Sequence, residues 1–156
     1  MSLNYFTFFL AEPSIIRNLK SDNNNDTEHH NIKTLERLTG QKMITFTTRT
    51  GASVFVGRDA KENDYLTFSF AEKTDIWFHV DAIPGSHVLL RACTGTAATR
   101  EDIEFAAQKA AMHSKAKGQG KCKVVFCSVM DVAKDKRAKD GLVFLLGDAK
   151  HMIVHC

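Results

Sequence analysis

From Asp75 to Arg91 the chain alternates apolar and polar side chains twice, with Pro84-Gly85 between the two runs. Ile76, Phe78 and Val80 interleave with Trp77, His79 and Asp81; Val88 and Leu90 interleave with His87, Leu89 and Arg91. A half-buried strand needs this period of two, and a Pro-Gly pair is strong turn punctuation. The pattern predicts two strands joined by a turn. One face of the pair is apolar. The other carries Trp77, His79, Asp81, His87 and Arg91, a set that a core does not need and that reads as a contact surface.

At 156 residues the chain has length for one domain with a proper core and too little for two generous ones. No apolar run reaches the length of a spanning helix, and the short segment 5–11 lacks the basic start of a signal peptide. The expected compartment is therefore cytoplasmic or nuclear. Cys93, Cys122, Cys127 and Cys156 form no Cys-x-x-Cys pair, so they read as free, mostly buried thiols. A net charge of +3 says little by itself, but its distribution is uneven. Nine Lys and Arg lie between Lys109 and Lys139 against Asp131 and Asp135, which leaves the rest of the chain net acidic. Such asymmetry points to one basic face and a polyanionic partner, or equally to a solvated lysine-rich surface.

Taken in order, residues 1–40 read as an N-terminal extension, partly flexible, because 21–31 is too polar to build a core. Residues 41–156 then form the compact domain. Within it, 43–48 and 52–56 read as a hairpin about Arg49-Thr50-Gly51, and the alternation of Leu66, Phe68 and Phe70 as a further strand. Thr99 with Asp102 three residues on can cap a helix. Ile103, Ala106, Ala107, Ala110, Ala111 and Ser114 give that helix a face of small residues, ending near 117–118 with Lys115 and Lys117 in its last turn. Strands follow at 123–129, 142–146 and 151–155. The expected class is α+β, a largely antiparallel sheet of about seven strands with one main Ala-rich helix packed on it.

Phosphate loops, dinucleotide fingerprints and nucleophile elbows have no match here. His79, Asp81 and His87 could supply three N/O ligands to a metal, against the simpler reading that each imidazole hydrogen-bonds a neighbour, so no cofactor is expected. Binding a nucleic acid asks for a basic track plus aromatic or polar groups. Lys115, Lys117, Lys121, Lys123, Lys134, Lys136, Arg137 and Lys139 could supply the first, and Arg58, Trp77, His79, His87 and Arg91 the second. A single Trp is also commonly core, and Arg58 could equally tie down its loop.

The segments Val56-Gly57-Arg58-Asp59-Ala60-Lys61-Glu62-Asn63-Asp64, Asp75-Ile76-Trp77-Phe78-His79 and Gly85-Ser86-His87, followed by the Ala-rich stretch and Gly141-Leu142-Val143, resemble the NFACT-R domain family. The resemblance covers about 43–154. It implies the RNA-binding domain of ribosome quality control proteins that bind the obstructed large ribosomal subunit and recruit tRNA. It also implies a non-catalytic role for Gly57, Arg58, Asn63, Asp64, Asp75, Trp77, Phe78, His79, Gly85, Ser86 and His87. The sequence departs at Asp59, where the family usually has Asn. The amino-terminal, helix-hairpin-helix and coiled-coil regions of full-length members have no counterpart in these 156 residues. A small coiled-coil domain-containing branch also starts almost directly with this domain, but often replaces the glycine kept here as Gly85. The expected partners are tRNA or rRNA on the large subunit. The rivals are a protein adaptor, which includes a homodimer, and a metal-dependent enzyme.

Overall fold

The computed structural model describes residues 43–134 and 136–156. The expected extension 1–40 lies outside them. The elements are β1 (Ile44–Thr47), β2 (Ser53–Val56), α1 (Ala60–Tyr65), β3 (Ile76–Val80), β4 (Val88–Arg91), α2 (Arg100–Met112), β5 (Lys121–Ser128), β6 (Val132–Ala133), β7 (Phe144–Leu145) and β8 (Lys150–His155). Six strands make one sheet in the order β1-β2-β4-β3-β5-β8, every neighbour antiparallel, and β6 pairs with β7 in a small second sheet. The class is α+β, as the alternation predicts.

The period-two pattern sorts the side chains. Val54, Val56, Phe78, Val80, Val88, Leu90, Val124 and Val154 turn to one face, where Ala106, Ala107, Ala110 and Ala111 of α2 meet them, all buried. Methyl-sized side chains let the helix axis lie close to the strands. Its start is the expected capping box: the Thr99 hydroxyl accepts from the Asp102 amide at 3.2 Å, and the Asp102 carboxylate accepts from the Thr99 amide at 2.9 Å. It ends at Met112, five residues before the expected stop. The Ser114 hydroxyl donates back to the Ala111 carbonyl and accepts from the Ala116 amide, drawing the chain into a turn.

Residues 66–70, expected as a strand, are instead a π-turn (Leu66–Phe70) continuing α1. Asp59 caps α1 by accepting from the Glu62 amide at 2.9 Å, so a helix is already under way before the alternation begins. It then closes with the Ala71 amide donating to the Leu66 carbonyl at 3.0 Å. This α1–π unit is a second layer on the face of the sheet opposite α2. Phe70 packs edge-on against Phe55 with centroids 4.8 Å apart, and Thr67 reaches His87.

Candidate nucleic-acid interface

The second layer decides where the motif residues go. Strands β3 and β4 pair as expected, with Trp77 opposite Leu89 and Phe78 opposite Val88. The face carrying Trp77, however, is covered. Trp77 is 2% exposed and His87 1%, so neither ring offers a surface to a partner. The expectation of a common polar face for Trp77, His79, Asp81, His87 and Arg91 is corrected accordingly. Alternation sorts side chains by face without saying what lies over each face.

The motif residues instead form a knot. Asn63 Oδ1 accepts from the His87 amide at 2.9 Å, and its Nδ2 donates to the Gly85 carbonyl at 3.3 Å. The Gly57 amide donates to the His87 carbonyl at 3.1 Å. A Cβ on Gly57 would stand 2.3 Å from Asn63 Oδ1, and one on Gly85 2.7 Å from Ser114 Cβ, so both positions need glycine. The Thr67 hydroxyl donates to the Asn63 carbonyl at 2.8 Å. That leaves its oxygen to accept from His87 Nδ1, also 2.8 Å away. His79 is half-buried, stacked on Trp77 (5.8 Å, 17°) and edge-on to His87 (5.5 Å).

Burial pulls the His87 pKa down from 6.5 to about 4, His79 beside it adds to the effect, and the Asn63 and Gly141 carbonyls oppose it. Burial lowers His79 too, against the Gly85 and Val80 carbonyls and Asp81. The folded protein therefore refuses a proton that the unfolded chain accepts. The His87 contribution is complete above pH 6.5 and is lost as the pH falls from there toward 4, by about 3 kcal/mol over that window. Urea unfolding at pH 7 and pH 4.5 should show the decline, with the His87 imidazole resonance still neutral at pH 5.5. A His87 resonance titrating near 6.5 would mean the ring is hydrated.

The charged motif residues are also tied internally. Arg91 makes two hydrogen bonds to the fully buried Asp75 carboxylate at 3.0 and 2.7 Å, pairs with Glu72 at 3.1 Å and lies over Phe70 at 4.8 Å. Asp64 accepts from the Gly141 amide at 3.0 Å and pairs with Lys134, which also lies 3.6 Å from Asp140. Arg58 is half-exposed, and its Nε donates to the buried Glu62 carboxylate at 2.9 Å. That bond holds the Glu62 carboxyl below its usual range despite burial. Asp81 pairs with Lys123 at 3.0 Å. Among the described residues no three His, Cys, Asp or Glu side chains converge as a metal site.

The exposed basic residues come from segments meeting at one end of the sheet. There β2 leaves through Gly57 and Arg58, the β3–β4 loop turns at 81–87, and β5 begins with Lys121 and Lys123. The Asp81 amide donates to the Lys123 carbonyl at 2.8 Å, and the Lys115 amide to the Pro84 carbonyl at 3.0 Å. Lys115, Lys117, Lys121 and Lys123 are all exposed, and residues 113–123 contain no acid. Lys61, at the start of α1, is exposed beside Arg58. Sequence reasoning missed it, although it stands three residues after Arg58. Lys136, Arg137 and Lys139 are exposed on the loop that Lys134 and Gly141 anchor to Asp64. Lys134, half-buried between two carboxylates, differs from the others.

The chain matches the family described as NFACT protein RNA binding domain over residues 42–146. It is 35% identical over 109 residues to the Rqc2 homolog RqcH of Bacillus subtilis, covering 70% of this chain and 18% of that protein. The Rqc2 homolog RqcH of Streptococcus suis is 34% identical over 95 residues, 60% of this chain and 17% of that one. The chain thus spans under a fifth of the length of the curated relatives it matches. The solved C-terminal part of the fibronectin/fibrinogen-binding protein of Streptococcus suis superposes with a TM-score of 0.67. It is 28% identical, and the match covers 83% of this chain and 55% of that one.

Proposed function

The chain belongs to the NFACT RNA-binding domain family, and from that premise we propose that residues 41–156 bind structured RNA, tRNA or rRNA, at the large ribosomal subunit in the cytoplasm. The setting is ribosome quality control, in keeping with the similarity to the Rqc2 homologs. The role is binding, not catalysis. One observation carries the reading: Lys115, Lys117, Lys121 and Lys123 all emerge at one end of the sheet on a stretch free of acidic residues. Lys136, Arg137 and Lys139 extend the track, and Arg58 and half-buried His79 are its polar contacts. Trp77, His87 and Lys134 serve the site by holding its frame, and Arg91 holds the other end of β4. No helix of the described residues is long and apolar enough to cross a membrane.

Replacing Lys115, Lys117, Lys121 and Lys123 by Gln should weaken binding of labelled tRNA on the order of tenfold or more. It should also flatten the salt dependence, because each lost phosphate contact removes about one unit from the log–log slope. The native chain should prefer tRNA to an unrelated acidic polymer at two salt concentrations. Equal affinity for both would sink specific RNA recognition. A second reading, a protein adaptor, is favoured by the exposed Met130, Leu142, Phe144 and Leu146 around β6 and β7. It gains if tRNA fails to bind.

A further inference from the structure

The outer strand of the sheet carries a different kind of site. Among the described residues β8 pairs with β5 alone, at the end of the strand order. The Cys156 amide donates to the Gly120 carbonyl at 2.8 Å, which sets the alternation of the ladder. Peptide groups of 152, 154 and 156 therefore face β5, and those of His151, Ile153 and His155 face outward. The His155 carbonyl is taken by the Gln108 amide. Among the described residues three N–H groups and two carbonyls are left along a strand without proline, a template for an added strand.

The side chains beside this edge specify the addition. His151, Ile153 and His155 share a face with Lys123 and Lys121, since Ile153 lies opposite Lys123 and His155 opposite Lys121. Ile153 is 63% exposed, and neither β5 nor β8 contains an acidic residue, while Asp81 of the β3–β4 loop pairs with Lys123 and leaves Lys121 as the cation nearest His155. Pairing two copies about a two-fold axis would set His151 of each against His155 of the other and bring two lysine-bearing rims together, which like charge opposes. We propose that the β8 edge accepts an extended acidic peptide as an additional antiparallel strand. Its pattern is acidic–x–apolar–x–acidic, with the apolar residue on Ile153 and the acids beside His151 and His155. This goes beyond RNA binding, because it uses main-chain groups that a polynucleotide has no need of.

The probe is a blocked, labelled peptide with Glu, Val and Glu at alternate positions and Thr between, titrated into the full chain at low salt. Binding should protect the His151, Ile153 and His155 amides from hydrogen exchange. N-methylation of the peptide amides that would face β8 should weaken it at least about tenfold. Ile153→Glu, a surface change that leaves the core intact, should do the same. Equal binding of the N-methylated peptide would overturn the proposal and leave a nonspecific anion surface. Protection of those three amides through self-association without peptide would overturn it in favour of a second copy.

Discussion

Arg91→Ala should lower the unfolding free energy by about 3–5 kcal/mol, the usual cost of stranding one partner of a buried ion pair. Asp75 has a fully buried side chain, and Arg91 is 19% exposed. Removing the guanidinium leaves a carboxylate that, among the described residues, the Glu72 amide alone, at 2.9 Å, is placed to satisfy. Arg91→Lys keeps the charge but loses the two-pronged geometry and the stacking over Phe70, so it should fall between the two. Urea denaturation measures both, and removing Asp75 as well as Arg91 should recover part of the loss. A drop below about 1 kcal/mol for Arg91→Ala would show that water reaches Asp75. Under conditions where it remains folded, Arg91→Lys should bind tRNA as the native chain does, since Arg91 closes β4 at the end away from the exposed lysines.

Gly57→Ala should cost about 2–4 kcal/mol, through overpacking and the hydrogen bonds it breaks. The new methyl occupies the place of Asn63 Oδ1, so the amide must swing away and leave the His87 N–H and the Gly85 carbonyl without partners. The cause is testable by a double-mutant cycle. In an Asn63→Ala background the contact with Oδ1 is gone and only the tight approach to the main chain of residue 63 remains, N at 3.0 Å and Cα at 3.2 Å, so Gly57→Ala should cost clearly less there. Thermal unfolding of the four proteins decides it. Additive losses would mean that Gly57 is required by something other than the Asn63 side chain, the main chain of residue 63 first.

Much of the sheet could be read before any coordinates. The alternation at 75–91 placed β3 and β4 and their pairing, and Thr99 with Asp102 placed the start of α2. The covering layer was harder. Leu66, Phe68 and Phe70 imitate a strand, although Asp59 with Glu62 three residues later already signals a helix start. Phe55, Trp77 and Leu89 lie side by side on successive strands, and three large apolar groups on the supposedly wet face were the clue that it is covered. The family resemblance picked out Gly57, Asn63, Asp64, Asp75, Gly85 and His87 without saying why. Their partners lie 16 to 77 residues away in many cases, as for Asp75 with Arg91 and Asp64 with Gly141. No local pattern reports such ties. Exposure of the lysines followed from charge, but not their convergence, which depends on strand order.

The close approach of Gly85 to Ser114 bears on how the basic end would meet a ligand. The Ser86 amide donates to the His113 carbonyl at 3.0 Å and the Lys115 amide to the Pro84 carbonyl at the same distance, so the two segments are laced main chain to main chain. The anchor points of Lys115 and Lys117 are thereby fixed before anything docks, and only the flexible stems remain to be ordered. Attachment at this corner then forfeits side-chain freedom but almost no backbone entropy, a preorganised grip that a floppy basic tail of equal charge would lack.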